Sequence, residues 1–210
     1  MLKIISFKDI AANADLFYSH FQLRHREFIE RQNYDVKTLD GMEFDEYDTL
    51  ASVYLVFTED NRTVLGCSRL TPIAYGCMLA DHFPDLVDDR TIFAAPDVWE
   101  GSRFCIDRRL PADYRRHICQ ALCLGYLEFG LGRSIDKIIG LMPTVILRTV
   151  FERSGVRLDR LGPVKPIGEH ARIQAASIVV NQAQRDQVRR VTGIVDLFGA
   201  TAWHVNRNVA

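Results

Sequence analysis

The chain has 210 residues, of which 48% are hydrophobic and 25% are charged, and its formal net charge is −1. These values are typical of a globular protein and predict one domain over residues 1–210 with a core of useful size. The balanced charge argues against nucleic acid as a partner, because phosphate backbones require an excess of Lys and Arg. No apolar run reaches the ~18 residues of a membrane span, and the first residues are charged too early for a signal peptide, which predicts a cytoplasmic protein.

The cysteines and histidines do not have the spacing of a metal site. The five cysteines include no C-x-x-C pair, and an odd number without metal spacing indicates reduced thiols in the cytoplasm. His20 and His25 are five positions apart, which is off the one-face spacing of a helical metal pair. We therefore predict no metal site.

The first third of the chain predicts a strand, two helices and a loop. The segment from Met1 to Asp9 is typical of a first strand. Apolar residues at the helical period then predict helices over 9–20 and 22–31. From Gln32 to Thr49 the period stops and acidic residues collect. This predicts a long loop, and loops of that length are often functional.

The middle of the chain predicts a hairpin and one further strand. Residues 51–57 and 63–70 are rich in strand-forming residues and are joined by a turn over 58–62. Residues 76–93 are predicted to be irregular, and residues 98–106 to form the next strand.

The second half predicts strands that alternate with helices. Pro111 suits the first position of a helix that ends near Gly130 and Gly132. The elements predicted after it are a strand over 137–142, a helix over 144–154, a strand over 173–180 and a helix over 181–192. This order predicts an α/β (α+β) fold with a single mixed, mostly antiparallel twisted sheet flanked by helices.

Three blocks of charged and aromatic residues occur in order along the first half. They are Arg24-x-x-x-Phe28 followed by Tyr34 and Glu43-x-Asp45-x-x-Asp48; Gly66-Cys67-Ser68-Arg69-Leu70-Thr71-Pro72; and Phe83 followed by Trp99-Glu100-x-x-Arg103-Phe104. Together they resemble the signature of the acyl-homoserine-lactone synthases. That family's fold is similar to the GNAT acyltransferases, so the resemblance implies a GNAT-like three-layer sandwich.

The resemblance also implies a reaction with two substrates and no further cofactor. The amine of S-adenosylmethionine (SAM) attacks the thioester of an acyl group carried by acyl carrier protein or coenzyme A. The methionine carboxylate then closes on its own γ-carbon and expels methylthioadenosine. The product is an N-acyl homoserine lactone, which is a diffusible quorum-sensing signal.

Opposite charges in the blocks fit the two ends of SAM. Asp45 and Asp48 are candidates to hold its ammonium and sulfonium groups. Arg24 and Arg69 are candidates for its carboxylate, since a guanidinium binds a carboxylate through two parallel hydrogen bonds. Arg103 is a third candidate. The alternative is that Arg24 and Asp48 form an ordinary surface ion pair, which is worth little.

Two aromatic residues are candidates for contact with the cation or the adenine of SAM. Phe28 and Tyr34 both present a π face to a positive charge. The related synthases usually have Trp where this chain has Tyr34, so its hydroxyl is a departure from the family pattern.

Glu100 and Arg103 are the predicted catalytic pair. Glu100 is the candidate base for the amine, and an adjacent Trp99 would raise its pKa by desolvation. Strict strand alternation puts Glu100 on the same face as Phe104 and opposite Arg103. A bulge at Gly101 or Ser102 would turn both charges to one face.

The acyl chain needs a hydrophobic tunnel, for which the second half supplies candidates. The predicted pocket residues are Phe83, Trp99, Met142, Thr144 and Ile146. The alternative is that these apolar residues are simply core, and that Thr144 is only a helix N-cap.

A basic stretch near residue 150 predicts a dock for acidic acyl carrier protein. Residues 148–172 contain six Arg and Lys against three Asp and Glu. The predicted dock consists of Arg148, Arg153, Arg157 and Lys165. The alternative is an ordinary solvated face.

Two rival functions fit parts of the sequence. One is a GNAT acetyltransferase that acts on another amine with acetyl-coenzyme A, but the segment Asp107–Ala112 lacks the glycines of the usual pyrophosphate loop. The other is a non-enzymatic sensor of SAM or an acyl group, which would not need Glu100.

Overall fold

The computed structural model describes residues 1–32, 36–168 and 171–198, and one large sheet organises them. Eight strands form this sheet, and a two-stranded ladder of β2 and β3 lies beside it. The strands are β1 (Leu2–Ser6), β2 (Thr38–Leu39), β3 (Met42–Glu43), β4 (Val53–Thr58), β5 (Val64–Pro72), β6 (Val98–Ile106), β7 (Lys137–Pro143), β8 (Asp159–Arg160), β9 (Lys165–Ile167) and β10 (Ala171–Val179).

The strand order is β1-β4-β5-β6-β7-β10-β8, and β9 also pairs with β10. Every pair in this sheet is antiparallel except β6 with β7, which run parallel. That parallel pairing begins at Val98 and Lys137 and ends at Glu100 and Ile139. Beyond it β6 continues beside β5 while β7 continues beside β10, so the sheet parts at its centre.

Within the described ranges, five α-helices connect and cover the strands. They are α1 (Ala14–Arg24), α2 (Met78–His82), α3 (Ala112–Gly132), α4 (Thr144–Ile146) and α5 (Gln182–Thr192). A π-helical segment, His25–Glu30, continues α1, and a second one, Leu147–Phe151, continues α4.

The two faces of the sheet bury different helices. On one face Leu55, Leu70 and Ile138 pack with the buried side of α3 and with Val188 of α5. On the other face residues of β4 and β5 pack with α1, and a separate apolar cluster surrounds Leu79 of α2. The result is three layers, with helices on both faces of one mixed sheet.

The predicted fold class is confirmed, and the differences are local. The first helix begins at Ala14 rather than at residue 9, after a 3-10 segment, Phe7–Ala12. The 76–93 segment, predicted to be irregular, contains α2, and the predicted loop over 32–49 contains the β2–β3 ladder. The short strands β8 and β9 were not predicted. No helix in the described ranges is long and apolar enough to span a membrane.

Candidate active site

Arg24, the last residue of α1, lies at the centre of a buried ion network. Its side chain is 1% exposed, and its Nη1 and Nη2 atoms each donate to an Asp48 carboxylate oxygen at 2.8 Å. Its Nε donates to Glu43 on β3. Burial alone would lower the pKa of Arg24, but Asp48 and Glu43 outweigh it and hold the pKa well above its usual value. Arg24 is therefore a fixed cation.

Two more arginines reach the same carboxylates from neighbouring strands. Arg69 of β5 donates through both terminal nitrogens to Asp45, and its Nε donates to Ser102 Oγ at 3.0 Å. Arg103 of β6 places Nε 3.0 Å from Glu43 and Nη2 2.6 Å from Asp45. These pairs lock the turn after β3 onto the sheet.

The network pairs three arginines with three carboxylates, and one of these, Asp48, is held ionised. Arg24, Arg69 and Arg103 face Glu43, Asp45 and Asp48. Burial alone would raise the pKa of Asp48, but Arg24 and Arg69 hold it well below its usual value. Asp45 and Arg103 are the most exposed members, at 7% and 10%, so they mark the edge that a ligand would meet.

A β-bulge brings Arg103 to the face that carries Glu100. Cys67 pairs with Cys105 and Arg69 pairs with Ser102, so Ser68 faces two residues of β6 instead of one. Arg103 has a φ of +52°, the left-handed conformation of the first residue in many bulges. The predicted bulge is therefore confirmed, but it lies at Arg103, not at Gly101 or Ser102.

Glu100 is buried against the start of α2. Its two carboxylate oxygens each accept a backbone N–H at 2.8 Å, one from Met78 and one from Leu79. Burial raises the pKa of Glu100, although these two hydrogen bonds and the charge of Arg69 oppose the rise. Arg103 Nη1 lies 3.8 Å from Met78 Sδ, so both predicted catalytic residues meet at the same residue of α2.

Aromatic rings lie over two of the guanidinium groups. The Cζ of Arg103 is 5.6 Å from the ring centre of Phe28, and the Cζ of Arg69 is 5.8 Å from that of Tyr47. Tyr47 also donates to Asp81 at 2.9 Å. The predicted Tyr34 lies outside the described residues.

Several residues of this site carry no predicted role. Glu43 stands in the first sequence block, but nothing in that block marks it as the fully buried acid that bridges Arg24 and Arg103. Ser102 and Tyr47 are likewise missed. Alternation along β6 does put Ser102 on the face of Glu100, which is the one available signal.

A small cavity opens on the α3 side, where β6 and β7 diverge. Its walls include Gly101, Tyr126, Gly140, Met142, Leu147 and Phe151. A Cβ added at Gly140 would lie 2.7 Å from the carbonyl oxygen of Gly101, so a side chain there would collide with the backbone of β6.

Three of the predicted acyl-pocket residues, Met142, Trp99 and Ile146, lie on the α3 face, and Met142 lines this cavity. The ring centre of Trp99 lies 5.3 Å from that of Phe129 in the core beneath α3. Ile146 packs against the same core. These two residues lie near the cavity without being part of its wall.

The other two predicted pocket residues lie elsewhere. Phe83 packs on the opposite face, in the apolar cluster around Leu79. Thr144 is the first residue of α4, and Pro143 takes the N-cap position, so Thr144 is not the N-cap.

The predicted docking residues are accessible. Arg148, Arg153 and Arg157 are exposed, and Lys165 is half-buried. The Nζ of Lys165 lies 3.3 Å from an Asp85 carboxylate oxygen, so part of its charge is neutralised.

Comparison with known proteins identifies the family. The autoinducer synthase family model matches residues 9–188. The chain belongs to the autoinducer synthase family. This synthase is 31% identical over 160 residues to a probable acyl-homoserine-lactone synthase of Sinorhizobium fredii, a match that covers 74% of this chain and 76% of the relative. It is also 31% identical over 189 residues to an isovaleryl-homoserine lactone synthase of Bradyrhizobium diazoefficiens, with 89% and 83% covered.

A solved structure agrees with the fold of this autoinducer synthase. It is a CoA-dependent acyl-homoserine lactone synthase with SAM and isopentyl-CoA, which matches with a TM-score of 0.80 and 28% identity over 94% of this chain and 91% of that one. The predicted family is confirmed, and this autoinducer synthase is an acyltransferase of the acyl-homoserine-lactone synthase class.

Proposed function

We propose that this autoinducer synthase makes an N-acyl-homoserine lactone from SAM and an acyl thioester, with acyl-coenzyme A as the donor. The observation that carries the proposal is the pair of sites that meet on β6. The ion network and Glu100 lie on one face of that strand, and the cavity lies where it separates from β7. An amine held on one face can reach a thioester that enters through the gap.

SAM would bind at the more exposed edge of the network. Asp45 is suited to its ammonium or sulfonium charge, and Arg103 to its carboxylate. Phe28, beneath the Arg103 guanidinium, offers a ring to the cation or the adenine. Arg24, Asp48 and Arg69 are more deeply buried, and their hydrogen bonds support the edge rather than face solvent.

Acyl transfer would begin when the SAM ammonium loses a proton. Glu100, whose pKa is raised by burial, is the proposed base, acting directly or through water. The neutral amine forms the amide bond as the thioester C–S bond breaks and the thiol of coenzyme A leaves. Backbone N–H groups of β6 beyond its pairing with β7 are the proposed donors to the oxyanion.

Lactone formation would follow on the same bound molecule. A carboxylate oxygen of the methionine attacks the γ-carbon while the bond from that carbon to the sulfonium breaks. The bond electrons neutralise the sulfur, and methylthioadenosine leaves. These steps need no metal or further cofactor, and both substrates are cytoplasmic metabolites, which supports action in the cytoplasm.

Acyl carrier protein is the second candidate donor. The exposed Arg148, Arg153 and Arg157 favour it, because opposite charge accelerates encounter with an acidic partner. Steady-state rates with matched acyl-coenzyme A and acyl carrier protein substrates would separate the two donors.

The test of the function is expression in a host that makes no such signal, followed by mass spectrometry of the medium. A lactone would identify the activity and the acyl group together. If the purified protein released no methylthioadenosine from SAM with a panel of acyl thioesters, the proposal would be wrong.

A further inference from the structure

We propose that Tyr126 limits the length of the acyl group, so that the synthase prefers short acyl donors. The inference rests on the proposed function and extends it to the choice of acyl donor. Its basis is the cavity at the divergence of β6 and β7 and the way in which Tyr126 is fixed there.

The cavity is small. Its volume is about 30 Å³. An engineered cavity that binds benzene has roughly 150 Å³, so this space favours a short acyl tail.

Tyr126 is the polar, rigid part of the cavity wall. It projects from α3 towards the sheet, is 2% exposed, and has its hydroxyl oxygen 2.6 Å from Ser68 Oγ. Ser68 Oγ in turn donates to the Ser102 carbonyl at 2.9 Å. Since Ser68 has a single hydroxyl proton, Tyr126 is the donor in the first bond. The phenol is thereby tied to the backbone of β6.

The ring of Tyr126 is also held by aromatic neighbours. Its centre lies 6.1 Å from that of Phe151 in a stacked pair, and 6.4 Å from that of Phe104 in an edge contact. A Cβ added at Gly101 would lie 2.9 Å from the hydroxyl, so the ring tip abuts the strand where the sheet parts. The ring therefore has no free direction in which to swing.

Two other large side chains of the wall, Met142 and Leu147, can adapt. Met142 has three rotatable side-chain bonds, and unbranched Met side chains fill irregular gaps readily. Leu147 lies on a π-helical segment and makes no polar tie. A longer acyl chain can displace either of these but not Tyr126. We infer that Tyr126 determines where the chain must end.

The test measures kcat/KM of the full-length enzyme with SAM and straight-chain acyl-coenzyme A substrates of four, six, eight and ten carbons, by thiol release. For the unaltered enzyme we expect a drop of tenfold or more between four and eight carbons, since one methylene is worth about 10- to 200-fold in a closed pocket. Tyr126→Leu should raise the ratio of the eight-carbon to the four-carbon value by about tenfold or more.

Phe129→Leu is the matched control. Phe129 is a fully buried aromatic residue of the same helix that contacts Trp99 and does not line the cavity. We expect it to leave the ratio unchanged. If Tyr126→Leu fails to fold, Tyr126→Phe keeps the ring but frees it from Ser68, and a smaller shift in the same direction is expected.

Three outcomes would overturn the inference. They are an unaltered enzyme that prefers ten carbons, a folded Tyr126 variant with the original ratio, and an equal shift in Phe129→Leu. Failure of the proposed function would give a different result, because the unaltered enzyme would then release no thiol from any donor in the presence of SAM.

Discussion

Arg24 and Asp48 form a bidentate ion pair that is shielded from water. Two N–H groups of the guanidinium donate to the two carboxylate oxygens at 2.8 Å, although the residues are 24 positions apart. Their side chains are 1% and 4% exposed. The pair joins α1 to the acidic loop and supports the groups at the edge of the network. Because water does not reach it, neither residue can replace a lost partner with solvent.

Asp48→Asn tests this role through stability. The change leaves the Arg24 guanidinium with one buried carboxylate instead of two, and breaking a buried pair typically costs about 3–5 kcal/mol. We expect the free energy of unfolding in urea to fall by about that amount. Asp15→Asn is the control, because Arg62 and Asp15 form an ion pair at 2.8 Å with side chains 76% and 58% exposed. Exposed pairs are worth about 1 kcal/mol or less, so a similar loss in both variants would contradict the prediction.

Arg103 allows the effect of its backbone to be separated from that of its side chain. Its φ of +52° favours glycine. Arg103→Gly and Arg103→Ala both remove the ion pairs to Glu43 and Asp45, so both should raise the KM for SAM by about tenfold, which corresponds to ~1.4 kcal/mol. Arg103→Gly should nevertheless be more stable than Arg103→Ala by about 1 kcal/mol, because only alanine keeps the backbone strain. Thermal unfolding measures this difference, and a more stable alanine variant would contradict it.

Strand β6, which carries Arg103, shows what sequence patterns can and cannot predict. The strand over 98–106 was predicted with its correct bounds, since its composition and flanking residues are typical of a strand. Its side-chain directions do not follow from strict alternation, because one inserted residue reverses the faces of all that follow, and the bulge predicted at Gly101 or Ser102 lies at Arg103. Phe104 therefore packs on the α3 face with Tyr126, while Glu100 and Arg103 share the other. Nothing local in Ser102-Arg103-Phe104 marks the bulge, since left-handed backbone usually selects glycine.

Long-range polar pairing is the second limit. Local periodicity predicts one buried face on a helix, but residues 121–127 of α3 are all buried, because this part of the helix is covered on more than one side. Periodicity does not predict that Arg24 and Glu43 are buried, because charged residues are mostly exposed and only their partners in other elements make burial possible. The fold brings Arg24, Arg69 and Arg103 of the three blocks into one network with the acids, whereas the sequence foresees only the Arg24–Asp48 pair, and foresees it as a surface pair.

Glu100→Gln tests the proposed base. The amide cannot accept a proton, so kcat should fall by about 10²- to 10⁴-fold. In the unaltered enzyme the rate should decline as the pH falls through the raised pKa of Glu100, since a base must be ionised to act. This fall in rate at low pH should be absent in the Glu100→Gln variant. A circular dichroism melt controls for loss of the hydrogen bonds to Met78 and Leu79. A folded variant with full turnover would remove Glu100 from the mechanism.

Charge reversal tests the basic dock. The double variant Arg153→Glu, Arg157→Glu places acidic groups on an exposed surface. We expect the KM for acyl carrier protein substrates to rise by about tenfold and the KM for acyl-coenzyme A to change little, because only the carrier protein presents a large acidic surface. Arg62→Glu, in the exposed turn between β4 and β5, is the control. If the double variant keeps the original KM for acyl carrier protein, the surface is not its dock.

His20 should make stability depend on pH. Burial, followed by the nearby charge of Arg24, lowers its pKa from 6.5 to about 3. Between these values the unfolded chain binds a proton that the folded chain does not, so the stabilisation is complete above pH 6.5 and is lost as the pH falls. Asp48, whose pKa is depressed from 3.8, loses its contribution only below that pH. A comparison at pH 7.5 and pH 5.0 therefore leaves Asp48 out. Glu100, whose pKa is raised by burial, acts with the opposite sign, so the contribution of His20 is the difference between the unaltered protein and His20→Gln.

Urea unfolding at these two pH values checks the sign and the size of the effect. The contribution of His20 to the unfolding free energy should fall by about 2 kcal/mol between pH 7.5 and pH 5.0, because pH 5.0 lies ~1.5 units below the ordinary histidine pKa. His20→Gln cannot titrate, so its loss should be smaller by about the same amount, whatever its absolute stability. His82→Gln is the control, because the side chain of His82 is 53% exposed. An equal pH dependence in the unaltered protein and His20→Gln would show that His20 titrates in the fold as it does in the unfolded chain.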